Sequence, residues 1–73
     1  MTKREFVSKL FSIAQGEIYD ASILRRAQKI GMLSDEDKWV IQRWLDGHNV
    51  ETDRFYLQQI AIEISADYEG EDL

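Results

Sequence analysis

Apolar residues recur along this chain at helical spacing, in four stretches divided by short polar breaks. Phe6, Val7, Leu10, Phe11 and Ala14 share one face of a first helix, opened by Thr2 with Glu5 as a capping box and closed at Gly16. Ile23, Leu24, Ala27 and Ile30 form the apolar side of a second helix, with Asp20 as N-cap and Gly31 as a left-handed stop. Ser34 with Asp37 reads as another capping box, after which Val40, Ile41, Trp44 and Leu45 turn inward until Asp46 and Gly47 break the third helix. Thr52 is the expected cap of a fourth helix that runs to about Ala66–Tyr68. Residues 60–64 (Ile-Ala-Ile-Glu-Ile) alternate like a strand, but Gln58, Gln59 and Ala66 around them favour helix. The pattern predicts an all-α fold. It is a compact bundle of four short helices in one domain over residues 1–73, with a helix-turn-helix-like second and third helix and a frayed acidic tail at 69–73.

The fourth helix is amphipathic twice over. Leu57, Ile60, Ala61, Ile64 and Tyr68 fall on one face, and Phe55, Ile62 and Ala66 on the opposite one. A surface helix of a small monomer needs only one such stripe to close its core. The second stripe predicts a helix that is sandwiched or that meets something outside the chain.

Composition narrows the class. At 73 residues without cysteine, the chain is near the lower size limit for folding unaided, and no disulfide or thiolate metal site supports it. It has no proline, 44% of its residues are hydrophobic, and eight are aromatic, which argues for a packed helical core rather than disorder. The net charge of −5 argues against simple wrapping by nucleic acid, but it is unevenly spread. Residues 1–31 carry six Lys/Arg against three acids (+3), and residues 32–73 carry three against eleven (−8). The plainest expectation is that the two halves pack together and neutralise each other. No apolar run is long enough to span a bilayer, and the charged start lacks the apolar core of a signal peptide, so a cytoplasmic location is expected and no membrane contact.

Chemistry is hard to place. His48 is the only histidine, too few for a zinc or iron site, and Asp35-Glu36-Asp37 lacks the glycine and closing carboxylate of a calcium loop, so no metal is expected. No glycine-rich loop cradles a phosphate, and the serines sit in helical or capping contexts without a histidine base. The chain is also short for enclosing a substrate. The expectation is no enzyme, no cofactor and no small-molecule substrate.

Recognition surfaces are better marked. Ala27, Ile30 and Gly31 resemble the alanine, apolar residue and turn glycine of a helix-turn-helix, over about twenty residues. The resemblance weakens beyond the turn, where Asp37 replaces an inward apolar residue and Asp35, Glu36 and Asp37 would face phosphates. Arg25, Arg26 and Lys29 form a basic face on the second helix, which reads either as a solvated surface or, with Lys9, as a grip on phosphates. Trp39 falls opposite the inner face of the third helix, beside Arg43 and Glu36. It is either a partner-facing anchor or a lid over the hairpin of helices one and two.

These observations predict a small acidic interaction or regulatory protein that binds a larger protein as a stoichiometric binder or inhibitor and is itself a homodimer. Its expected contacts are Trp39, Phe55 and Ile62 as apolar anchors, with Arg43 and Glu36 beside them. The second reading is a dimeric nucleic-acid-binding regulator that uses Arg25, Arg26, Lys29 and Lys9.

Overall fold

The computed structural model describes residues 1–73 and contains four helices: α1 (Lys3–Ala14), α2 (Ala21–Gln28), α3 (Asp35–Leu45) and α4 (Glu51–Asp67). α1 lies along α4 and α2 along α3, with α3 also against α4, in a globule of 30 × 25 × 19 Å. The core is one cluster of fourteen side chains, drawn from every helix and from the α2–α3 turn through Ile30 and Leu33. Residues 60–64 are helical throughout: Ile60 and Ile64 are fully buried while Ile62 points out.

Local chemistry sets most of the helix ends. The Thr2 hydroxyl oxygen accepts the Glu5 N–H at 3.2 Å. Glu5 closes that cap onto the Thr2 hydroxyl at 3.1 Å, rather than onto the backbone as a full capping box would. Asp20 caps α2 through the N–H groups of Ser22 and Ile23, and Ser34 with Asp37 forms the complete box on α3. Gly16 and Gly47 take positive φ, and each ends its helix with the paired hydrogen bonds of a Schellman motif. These run from Glu17 to Ser12 and Gly16 to Ile13 after α1, and from His48 to Arg43 and Gly47 to Trp44 after α3.

Five residues depart from the expected pattern. Gly31 is not left-handed; α2 closes instead by tight turns in which the N–H groups of Lys29 and Ile30 reach the carbonyls of Arg26 and Ala27. Thr52 is not the cap of α4. The helix starts two residues earlier, at Glu51 behind Val50, because the Asp53 carboxylate reaches back to the Val50 N–H at 3.0 Å. Phe11 and Trp44 are only partly buried, and Ile13, absent from the predicted face of α1, is in the core.

The tail 69–73, expected to fray, instead runs antiparallel to the start of the chain. The Lys3 N–H donates to Glu71 O (2.8 Å), and the Leu73 N–H to Met1 O (2.9 Å). The Arg26 guanidinium also donates to Leu73 O at 3.1 Å. Lys3 adds a further tie: its ammonium donates to the carbonyls of Ser65 and Tyr68, both at 3.1 Å, and so caps the end of α4. That last turn holds acids and no base of its own, and a cation there offsets the negative end of the helix dipole.

The two oppositely charged halves do not neutralise each other through ion pairs. The single salt bridge, Arg43–Asp53, lies within the acidic half. No helix is long and apolar enough to cross a membrane.

Candidate interaction surface

The side of the molecule formed by α3 and α4 gathers most of the residues singled out from sequence. Asp53, 2% exposed at the start of α4, is the hinge of this arrangement. Its carboxylate accepts the Val50 N–H and pairs side-on with Arg43, whose Nε donates to Oδ2 at 3.0 Å while Nη2 bonds Oδ1. Hydrogen bonding to Arg43 outweighs burial and holds the Asp53 carboxyl below the usual carboxylate range; the same contact raises Arg43 further. The central carbon of that guanidinium lies 4.6 Å from the centroid of the Trp39 ring, within cation–π range.

Trp39 is therefore held in place without being buried: 62% of it remains exposed. The alternative of a lid over the α1–α2 hairpin does not occur. Arg43, expected as a contact residue beside Trp39, spends its polar edge on Asp53 and its face on Trp39. Glu36 is exposed one turn before Trp39, beside Asp35.

Between α3 and α4 lies an open cleft of about 320 Å³ whose walls include Asp37, Phe55, Tyr56 and Glu63. Asp37 is only 7% exposed. Loss of water, then the nearby carboxylates led by Asp37, push the Tyr56 hydroxyl up to about 12. Desolvation, and next the charge of Asp37, raise Glu63 above the ordinary glutamate range. No cation of this chain pairs with Asp37 or Glu63, since the one ion pair is used at Asp53.

On the outer side of α4, Phe55 (61% exposed) and Ile62 (47%) stand in solvent with Ala66, opposite the buried Leu57, Ile60, Ala61 and Ile64. The two-sided reading of this helix holds. Thr52 and Gln59 complete the outer stripe. Tyr56, Asp53 and Asp37 were not singled out as site residues, because their importance comes from contacts between α3 and α4.

The basic residues are dispersed. Arg25 and Arg26 on α2 and Lys29 at its C-terminal cap are all exposed, but Arg26 is engaged with Leu73 O. Arg25 and Lys29 flank a depression that also contains Gln42 and Asp46. Lys9 borders a different one, with Arg4, Glu5 and Ser8. α2 and α3 are joined by the Gln28 amide, which donates to Lys38 O (3.2 Å) and Gln42 Oε1 (2.9 Å). α2 and α3 are thus two successive, packed helices joined by a short turn. No three His, Cys, Asp or Glu side chains converge as a metal site.

No family model, curated protein or solved structure matches this chain.

Proposed function

We propose that this chain is a small acidic interaction protein that binds a larger protein through its α3–α4 side, acting as a stoichiometric regulator or inhibitor and working as a homodimer. Its apolar contacts are Trp39, turned toward the larger protein, and Phe55 and Ile62 on the outer face of α4. The observation that carries the reading is Trp39, kept in water yet held by an arginine that is itself clamped by a buried aspartate. An anchor fixed before binding loses little side-chain entropy on association, and tryptophan is enriched among residues that dominate interfaces. Asp35, Glu36 and Glu63 have no ion-pair partner, so the complementary surface is an apolar pocket edged by Lys or Arg. No catalytic role is part of this reading.

A dimeric nucleic-acid-binding regulator, using Arg25, Arg26, Lys29 and Lys9, is the second reading. It draws on the exposed basic face of α2.

The test compares variants in capture of a partner and in a gel shift at low salt. Trp39→Ala is expected to leave the melting temperature unchanged and to weaken partner binding by more than about 1 kcal/mol. Arg25→Glu/Arg26→Glu is expected to leave it intact. The reverse pattern, with a salt-dependent nucleic-acid shift lost in the arginine pair, would overturn the protein-binding reading in favour of nucleic acid.

A further inference from the structure

We infer that the outer face of α4 is covered by the same face of a second copy of this chain, the two helices running antiparallel about a two-fold axis. The inference rests on the reading of the α3–α4 side as an interaction face and names the occupant of its α4 part, leaving Trp39 to the larger partner.

Spacing is the first argument. Thr52, Phe55, Gln59, Ile62 and Ala66 follow one another at alternating intervals of three and four residues, the seam of a helix pair. All five are uncharged, in a chain where 32% of residues are charged. The inner face of α4 already fills the core, so the seam is not needed to close the monomer. A two-fold axis makes the surface meet itself, each contact occurring twice. With the axis level with Ile60 and Ala61, Phe55 sits over Ala66 of the second copy and Ile62 against Gln59 of the second copy. Large side chains then face small or flexible ones, as interdigitated packing requires.

Charge chooses the direction. The C-terminal end of α4 and the segment after it carry Glu63, Asp67, Glu69, Glu71 and Asp72 with no base among them. Parallel helices would stack these acids on their copies. Antiparallel helices set them apart and bring each acidic end toward the other copy's Arg54 and the positive end of its α4 dipole.

Area sets the strength. A standard interface takes about 800 Å² from each partner, roughly a sixth of the 4570 Å² exposed here. The outer face of α4, 17 residues and so about 25 Å long, offers less than that. With two large apolar side chains per copy, the pair belongs at the weak end of stable dimers, with dissociation in the micromolar range rather than an obligate fold.

Sedimentation equilibrium up to about 500 µM, far above a micromolar dissociation constant, tests this. The wild type is expected to pass from 8.6 kDa to twice that mass. Phe55→Glu and Ile62→Glu are expected to stay monomeric with unchanged helical circular dichroism. A wild-type monomer throughout, or an Ile62→Glu variant that still dimerises, would overturn the inference. The chain has no cysteine, so single introduced thiols report direction. Gln59→Cys, near the axis, is expected to form a disulfide-linked dimer on mild oxidation. Ala66→Cys is not, since an antiparallel pair holds the two positions about 16 Å apart along the axis. Efficient Ala66→Cys cross-linking would overturn the antiparallel arrangement. A monomeric wild type that still loses its larger partner on Trp39→Ala would refute the dimer and leave the interaction reading standing.

Discussion

Two carboxylates on this molecule titrate for opposite reasons, and the difference is measurable. Asp53 is stabilised as an anion by Arg43, so its folded-state pKa lies below the unfolded one. Its contribution to stability is full above the ordinary aspartate pKa and is lost as pH falls through the depressed value. Glu63 is the opposite case: burial and Asp37 raise it, so its contribution is full below the ordinary glutamate pKa and is lost as pH rises through the folded value. Glu63→Gln is therefore expected to raise the melting temperature at pH 7 and to leave it unchanged at pH 3; thermal melts at the two pH values check this. Asp53→Asn should lower the melting temperature at pH 7 and converge on the wild type in acid. It should also shift tryptophan emission, because Arg43 loses the partner that holds it over Trp39.

Helix α4 gives the sharpest contrast between neighbours. Ile60 is fully buried and Ile62 is about half exposed, two residues apart on one helix. Ile60→Ala is expected to cost roughly 2–5 kcal/mol in chemical denaturation, as buried large-to-small changes do. Ile62→Ala should change monomer stability by less than about 0.5 kcal/mol. The glycines separate in the same way. Gly31 has ordinary φ and open space around its Cα, so Gly31→Ala is expected to be neutral or stabilising by about 0.4–1 kcal/mol. Gly16→Ala and Gly47→Ala force a side chain into left-handed backbone and should each cost about 1–2 kcal/mol.

At the scale of the whole molecule, the two ends of the chain are tied together. Met1, Lys3 and Arg26 all donate to carbonyls between Glu71 and Leu73, and Lys3 also holds the end of α4. Amide hydrogen exchange at Lys3 and Leu73 is expected to be slower than in an unstructured peptide. Lys3→Ala should speed exchange in the last turn of α4, since two carbonyls there lose their cation. These ties also explain how the +3 and −8 halves coexist. The basic half meets the acidic tail through backbone carbonyls, which leaves the carboxylates of α3 and α4 other than the buried Asp37 and Asp53 free at the surface.

Four helices, most of their caps and the second apolar stripe of α4 were legible in the chain, because each depends on residues three or four apart. Asp20, Ser34 with Asp37, Gly16 and Gly47 act within a single turn, and local sequence suffices to predict them. Gly31 and Thr52 misled for a related reason: each is a competent local signal, overridden by the turn after α2 and by the Asp53 carboxylate reaching back to Val50. Trp39 was legible as an outward residue, but not as a pre-organised one. Its orientation depends on Arg43, ten residues from Asp53, and on the packing of α3 beside α4. The bond pattern of the tail was equally out of reach, since it joins residues about seventy positions apart. Short-range periodicity and capping chemistry determine which segments are helices and which faces are apolar. Tertiary packing alone decided which charges are paired, which ends are pinned and which aromatic ring is left facing water.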